Sequence, residues 1–412
     1  MELYNSNYVW KNFRVKMHNL RQDQIDRIHK ISSARRFLYN WGLNYANTIY
    51  IETGKTPNYQ EMARQLSILK KTDDNFKWLD DKIYNVTALR HAFIDLANAF
   101  HNYFLGICRR PIFKQKKTDS VRFASDKKGF RIVPENPNLM FIPGVSMRHG
   151  DFIDCGNHNI PFGPNVEYSN IRVKFDGVDY WLSLSVKLYR PMEFTHDNYP
   201  EDGIGIDIGI RTSAALSNGK TYNAIPKERL NVLYHRRSVL QSSVDRGLAR
   251  RNKESKRTKT KYEDIPKSKN QIKRERRLAK TRIAIHNYYS SYYHKISRDI
   301  VNTMPKFIVL EDLNVQSMYN NAYGRLRFDT YESRMATLSE YIAYKAIEAD
   351  IPVIYTDRSF ASSQICSRCG LTNHIGKGKI YHCPNCGLEI DRDLNAAYNL
   401  RDYGLSRINE SV

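Results

Sequence analysis

Cysteine is scarce in this sequence, with six residues among 412, and four of the six form two Cys-x-x-Cys pairs near the C-terminus. That pattern is typical of a metal site in a reducing compartment and excludes a disulfide framework. No apolar run approaches the roughly 18 residues of a membrane span. The first residues, MELYNSNYVWKNF, lack the basic and apolar regions of a signal peptide. We therefore expect a cytoplasmic protein of the prokaryotic cytosol or nucleoid, with no membrane partner.

Acidic residues are also few, because 43 Asp and Glu oppose 65 Lys and Arg and leave a net charge of +22. Such an excess indicates a polyanionic partner, most simply nucleic acid. The 28 tyrosines add aromatic surfaces on which bases can stack. At 41% hydrophobic residues, the chain can bury cores for two or three domains and is not disordered.

The first half of the chain combines strand and helix patterns. Residues 11–17 alternate as a strand does, and residues 20–110 carry helical periodicity. Residues 111–200 read as β-structure, with Asp176-Gly177 as a hairpin signal between two strands. If the strand in 1–19 joins that sheet, the helices are an insertion into a β-barrel. This is the arrangement we predict.

The second half, from residue 201, has an α/β pattern. Apolar strand candidates occur at 203–210, 213–219, 307–313 and 352–357, with a helical pattern at 331–349. A basic helical insertion at 225–300 separates the first strands from the later ones.

The basic insertion contains the most charged segment of the chain. Residues 246–282 hold 16 Lys and Arg against four acids. A solvated helix face normally mixes its charges, so we predict a helical hairpin that contacts nucleic acid. The candidate contacts are Arg250, Arg251, Lys256, Arg257, Lys273, Arg274, Arg276 and Arg277.

Three acidic positions predict a catalytic carboxylate set. Asp207 lies in the apolar run GIGIDIGI, where a buried carboxylate needs a partner. Glu311 ends the strand FIVL, and Asp391 and Asp393 both lie where a helix opens. One acid at a strand end is usually a cap or ion-pair partner. Acids in this strand, strand, helix order form the ligand set of a two-metal nuclease, because two Mg²⁺ ions prefer oxygen ligands.

The cysteine pairs predict a structural zinc site. Cys366, Cys369, Cys383 and Cys386 supply four thiolates at tetrahedral spacing, and a glycine follows each pair. Four thiolates leave no open position for catalysis, so the site is structural. His374 and His382 are nearby but are not expected to be ligands. We predict a zinc ribbon at 364–388.

Taken together, these blocks resemble the TnpB-type transposon-encoded nucleases, the compact relatives of type V CRISPR effectors. The resemblance covers residues 203–400 through GIDIGI, IVLEDL and SFASSQICSRCG…YHCPNCG…DRDLNAAYNL. The block from CSRCG through DRDLNAAYN is the most specific. The N-terminal half fits more loosely, as a wedge β-barrel at 1–19 and 111–200 with a recognition insertion at 20–110.

The resemblance implies an RNase H-like (RuvC) nuclease domain at 201–363, with a C-terminal helix and tail at 389–412 after the ribbon. It implies Asp207, Glu311 and Asp393 as the catalytic, Mg²⁺-binding triad. Asp393 is preferred over Asp391 because the family's acid stands two residues before an Asn, here Asn395.

The activity implied is that of an RNA-guided DNA endonuclease of a transposable element. A guide RNA from the transposon end would pair with a double-stranded DNA target beside a short motif. The protein would act as a monomer on nucleic acid. Three alternatives remain open: a non-cleaving DNA-binding accessory of transposition, an unguided RuvC-like resolvase, and a CRISPR-associated effector of the same superfamily.

Overall fold

The structure is a computed structural model. It describes residues 8–84, 86–106, 108–116, 119–125, 127–148, 150–163, 166–189, 203–312, 323–324, 333–373 and 378–409. The chain divides into two compact units, Met1–Pro191 and Met192–Val412. The predicted turn at 198–203 and His374 lie almost entirely outside the described residues. In the described part of the chain, no helix is long and apolar enough to cross a membrane.

The first unit mixes helices and strands in the predicted order. Its elements are β1 (Tyr8–Met17), α1 (Gln22–Thr53), α2 (Tyr59–Thr72), α3 (Asp74–Lys77), α4 (Val86–Phe104), β2 (Arg122–Ser125), β3 (Arg131–Val133), β4 (Asn136–Phe141), β5 (Ile153–Asp154), β6 (Glu167–Phe175) and β7 (Tyr180–Tyr189).

The first strand does join the later ones, in an antiparallel sheet of order β1-β7-β6-β2. The β6–β7 hairpin forms at the predicted turn, where the Asp176 carboxylate accepts hydrogen bonds from the backbone N–H groups of Val178 and Asp179 at 2.9 Å. Gly177 there takes a positive φ of 93°, which favours glycine.

The predicted closed β-barrel is wrong for the described residues. The strands β3, β4 and β5 form a separate three-stranded sheet, and β1 and β2 are the edges of the larger one. Strands of three, six and two residues are too short to bridge those edges, since closure requires a continuous, staggered ladder.

The helices of the first unit share a core of their own. Helices α1 and α4 pack together through Leu38, Leu43, Phe93 and Leu96. Gly42 of α1 permits this close packing, because a Cβ there would lie 3.1 Å from the Leu96 side chain.

The second unit is built on a mixed sheet. Its elements are β8 (Ile204–Asp207), β9 (Thr212–Leu216), β10 (Thr221–Asn223), α5 (Glu228–Thr258), α6 (Lys269–Val301), β11 (Ile308–Leu310), α7 (Met335–Glu348), β12 (Val353–Tyr355), β13 (Ile380–His382), β14 (Glu389–Asp391) and α8 (Arg392–Asn409).

The five-stranded sheet has the order β10-β9-β8-β11-β12. Strand β9 is antiparallel to both of its neighbours, β8 and β10, while β8, β11 and β12 run parallel. Alternate residues of β8 and β11 face opposite sides. Ile206 and Leu310 pack in the core with α6 and α7, whereas Val309 packs with Leu400 of α8. Helix α8 therefore covers the face opposite to α6 and α7.

The predicted helical hairpin is confirmed as the pair α5 and α6, which pack against each other along their length. The guanidinium of Arg251 ties down the link between them. It donates hydrogen bonds to the backbone carbonyls of Tyr262 and Ile265, each at 3.1 Å, and lies 4.3 Å from the Tyr262 ring centroid.

Candidate functional site

Two of the predicted catalytic carboxylates lie at the carboxyl edge of the parallel strands. Ile206 of β8 is paired with Leu310 of β11, so the next residues, Asp207 and Glu311, occupy equivalent positions on neighbouring strands. Side chains at equivalent positions of a parallel pair point to the same face. Here that face is the one covered by α8.

Helix α8 approaches β8 unusually closely, and Gly205 makes the approach possible. A Cβ at this position would overlap the carbonyl oxygen of Ala397 and the backbone nitrogen of Arg401. Asp207 lies two residues after Gly205, on the same strand face, and Asp393 lies one helical turn before Ala397. The crossing therefore brings the first turn of α8 to the two strand carboxylates.

The electrostatics of the three acids agree with this geometry. The pKa of Asp207 is raised well above its ordinary value, first by burial and then by the nearby charges of Glu311 and Asp393. Burial also raises the pKa of Glu311. Carboxylates gathered at one sheet edge are poised to bind a cation, because the cation removes their mutual repulsion.

Asp391, the rival of Asp393, has a structural role. Its Oδ1 atom accepts hydrogen bonds from the backbone N–H groups of Asp393 at 2.9 Å and Leu394 at 3.4 Å, which caps α8. Its other oxygen lies 3.7 Å from the Lys379 ammonium. Both oxygens thus have protein partners, whereas Asp393 stays in the first turn of α8 beside the strand acids.

A hydrogen-bonded support connects these acids to the cysteine segment, and the sequence reasoning missed its central residue. The hydroxyl of the buried Ser362 donates a hydrogen bond to the Glu311 carboxylate. The backbone carbonyl of Ser362 accepts a hydrogen bond from the Asn399 side chain at 2.7 Å. The Asn395 side chain donates to the Ile365 carbonyl at 2.7 Å and accepts from the Ser367 backbone N–H at 3.0 Å. The shared helix face of the two asparagines was the available sequence signal; nothing local marks Ser362.

The four cysteines meet as predicted. The sulfur atoms of Cys366 and Cys386 are 3.6 Å apart, as are those of Cys369 and Cys383, and all four lie within 4.8 Å of one another. Tetrahedral bonds of about 2.3 Å to one Zn²⁺ place sulfur atoms about 3.8 Å apart. The spacing therefore fits a four-thiolate metal site.

The acids are spaced more widely than the thiols. Within the described ranges, the cysteines are the one group of three or more candidate ligands gathered within 4.8 Å; the carboxylates of Asp207, Glu311 and Asp393 are not. Their oxygen donors suit a hard divalent cation.

Most of the predicted nucleic-acid contacts are free on the helical pair. Arg251 is not, because it ties down the link between the helices, and Arg257 pairs with Glu254 at 2.7 Å. The other six candidates are exposed, and none of them forms an ion pair in the part of the chain that is described: Arg250, Lys256, Lys273, Arg274, Arg276 and Arg277.

A second basic surface, which the sequence reasoning did not identify, is the outer face of the β1-β7-β6-β2 sheet. Arg14, Arg172, Lys174 and Arg122 line a groove of about 590 Å³ on it. Their neighbours in sequence, such as Val173, point into the core. The Arg14 guanidinium also lies 4.2 Å from the Trp181 ring centroid. Clustered cations beside an aromatic ring are features of nucleic-acid surfaces.

Comparison with known families gives two matches. A family described as "Probable transposase" (OrfB_IS605) matches residues 183–322, and the "Cas12f1-like, TNB domain" family matches residues 336–400. The TnpB-like protein L79 of Acanthamoeba polyphaga mimivirus is 28% identical over 214 residues, which are 50% of this chain and 38% of that protein.

This chain is similar to TnpB-type proteins. A relative from Streptomyces pristinaespiralis, named "Putative RNA-guided DNA endonuclease", is 24% identical over 90% of this chain and 84% of its own length. The resemblance seen in the sequence is thereby confirmed. This chain spans well under half the length of the mimiviral TnpB-like proteins it matches.

Two solved structures also align with most of the chain. One is titled as the mini-RNA-guided endonuclease CRISPR-Cas_phi3, with a TM-score of 0.42, 11% identity and coverage of 96% of this chain and 92% of its own. The other is the Cas12f1-sgRNA-target DNA complex, with a TM-score of 0.31, 14% identity and coverage of 96% and 99%.

Proposed function

We propose that this protein is an RNA-guided DNA endonuclease of a transposable element, which hydrolyses target DNA beside a short adjacent motif. The observation that carries the proposal is the convergence of Asp207, Glu311 and Asp393 at one sheet edge. The sheet order β10-β9-β8-β11-β12 supports an RNase H-like assignment for this unit. In that sheet β10, β9 and β8 are antiparallel neighbours, and β11 and β12 run parallel to β8. The match to TnpB-type relatives supports the guided reading.

The residues at the edge have distinct roles in this proposal. Asp207 and Glu311 hold metal from adjacent strands, and Asp393 closes the site from α8. Two Mg²⁺ ions, when bound, supply activation of a water and stabilisation of the leaving 3′-oxygen. Ser362 orients Glu311, because its hydroxyl fixes one of the carboxylate oxygens.

In the proposed function, the cysteine cluster holds a structural Zn²⁺. Four sulfur ligands leave no position for substrate, so the ion stabilises the ribbon instead of reacting. The ribbon's first knuckle is bonded to α8 through Asn395, which lies two residues after Asp393. Folding of the ribbon therefore supports the position of the third acid.

The guide RNA and target DNA account for the positive surfaces. The basic face of the four-stranded sheet supports guide-RNA binding by the first unit. The free cations of α5 and α6 support contact with the guide–target duplex, whose phosphates they would neutralise. A single site per chain suits a monomer that cuts both strands in turn.

Sequencing of co-purified RNA tests the guided reading. The protein is expressed with its native flanking DNA and, as a control, from the coding sequence alone; RNA bound to each preparation is sequenced. A discrete RNA from the element's end, present only with the flanking DNA, is the expected result. Random cellular RNA in both preparations would contradict the guided reading and favour an unguided nuclease or a DNA-binding accessory of transposition.

A further inference from the structure

A crevice in the second unit lies between α5, α6 and the start of α7. Its volume is about 540 Å³, within the range of ligand sites. Each of the three elements contributes an arginine, namely Arg237, Arg282 and Arg334. None of these three is among the contacts predicted from the sequence.

A hydrogen bond and contacts with aromatic rings position the three arginines. Arg282 donates a hydrogen bond to the Gln241 side chain across the helix pair at 2.6 Å. The Arg334 guanidinium lies 4.1 Å from the Tyr289 ring centroid, and that of Arg237 lies 4.7 Å from the Tyr234 ring. Over the residues that the structure covers, no carboxylate forms an ion pair with any of the three. Their charge is therefore held in place, and no carboxylate among the described residues pairs with it.

The remaining features of the crevice also favour an anion. Ser238 and Ser242 add hydroxyl donors to its wall, and Ile285 is its apolar part. Arg334 immediately precedes α7, with left-handed backbone angles of φ 45° and ψ 40°. The positive end of that 14-residue helix thus lies at the crevice, where it adds to the arginine field.

We propose that this crevice is a phosphate subsite for a nucleic-acid strand. The inference extends the proposed function and rests on it only for the choice of polymer. Phosphodiester oxygens match arginine forks and hydroxyl donors. Helices α5 and α6 together carry 18 Lys and Arg against five acids, which suits a long polyanion. The lining offers a base no aromatic face, because the tyrosine rings are covered by the arginines.

Oligonucleotide binding tests the subsite without requiring cleavage. The variant R237Q/R282Q/R334Q is compared with R236Q/K295Q/R298Q, which removes the same charge from α5 and α6 outside the crevice. Fluorescence anisotropy of a labelled 20-nucleotide DNA strand is measured in EDTA across a series of KCl concentrations. Circular dichroism and thermal melting verify that both variants are folded.

The crevice variant should bind at least about tenfold more weakly than the control variant at low salt. The slope of log K against log [KCl] should also be smaller in magnitude for the crevice variant, by about 0.7 for each phosphate that the arginines no longer neutralise. Equal affinities and slopes for the two variants would overturn the subsite. Titration with ATP forms the second arm. ATP binding that disappears in the crevice variant, with DNA binding unchanged, would overturn the assignment to nucleic acid in favour of free nucleotide.

This test is independent of the proposed activity. A wild-type protein that carries no guide RNA and cuts no DNA would contradict the proposed function, yet the two variants could still differ in oligonucleotide binding. Conversely, equal binding by the variants would remove the subsite while guided cleavage remained intact.

Discussion

The hydrogen bond from Ser362 to Glu311 gives the sharpest prediction about the carboxylate site. Burial raises the pKa of Glu311, and the Ser362 hydroxyl acts in the opposite direction by stabilising the ionised form. Ser362→Ala removes that donor and leaves a buried carboxylate with less support. The pKa of Glu311 should then rise further, and a proton should compete better with a divalent cation.

The size of the effect follows from the type of bond. A hydrogen bond to a charged group contributes about 1.5–3 kcal/mol, and one pKa unit corresponds to about 1.4 kcal/mol. The pKa of Glu311 should therefore rise by about one to two units. Metal affinity should fall about 10- to 100-fold, as is usual when the hydrogen-bond partner behind a metal ligand is removed.

Binding of Mn²⁺, as a spectroscopic substitute for Mg²⁺, measures this effect directly by electron paramagnetic resonance. The deficit should shrink as the pH is raised, because the added proton then dissociates. Ser362→Thr keeps the hydroxyl and should bind nearly as the wild type does. Ser367→Ala is the matched control, because its backbone N–H still bonds to Asn395. Wild-type Mn²⁺ affinity in Ser362→Ala at pH 7 would refute the reasoning.

Three further changes test the rest of the site. Asp207→Asn should raise the melting temperature of the metal-free protein. Because the folded pKa of Asp207 lies above the unfolded pKa, its ionisation destabilises the fold as the pH rises from the unfolded pKa towards the folded one, at about 1.4 kcal/mol per pH unit. An unchanged or lower melting temperature at pH 7 would count against the raised pKa. Gly205→Ala should cost about 1–3 kcal/mol or more in the free energy of unfolding, because the added methyl overlaps the backbone of α8; a wild-type denaturant midpoint would mean that the close crossing is absent. Cys383→Ser should lose zinc by elemental analysis and increase hydrogen exchange across the ribbon; a zinc-free wild type would remove the ribbon assignment.

The sequence was informative where the signal is local. Apolar runs located the strands beside Asp207 and Glu311, and the excess of Lys and Arg in 246–282 indicated the basic helical hairpin. The Asp176-Gly177 turn and the cysteine spacing predicted a hairpin and a four-sulfur cluster that the structure confirms. Each of these depends on residues only a few positions apart.

The sequence was less informative where contacts are distant or where strands are short. Barrel closure was predicted from the first strand joining the later sheet, but closure depends on strand length and pairing, and β3–β5 are too short. Ser362 contacts a residue 51 positions away, and no periodic pattern encodes such a contact. Arg251 was assigned to nucleic acid from its charge alone, whereas its guanidinium bonds to the link between α5 and α6.

The most direct test of the central claim is cleavage of a plasmid that carries a sequence matching the bound guide, with wild type and Glu311→Gln compared at equal RNA content. Glu311→Gln keeps the size of the side chain but removes the charged metal ligand. We expect Mg²⁺-dependent cleavage by the wild type and a loss of at least about 100-fold in the variant, with RNA binding retained. Cleavage by Glu311→Gln at the wild-type rate would contradict the assignment of the carboxylate site.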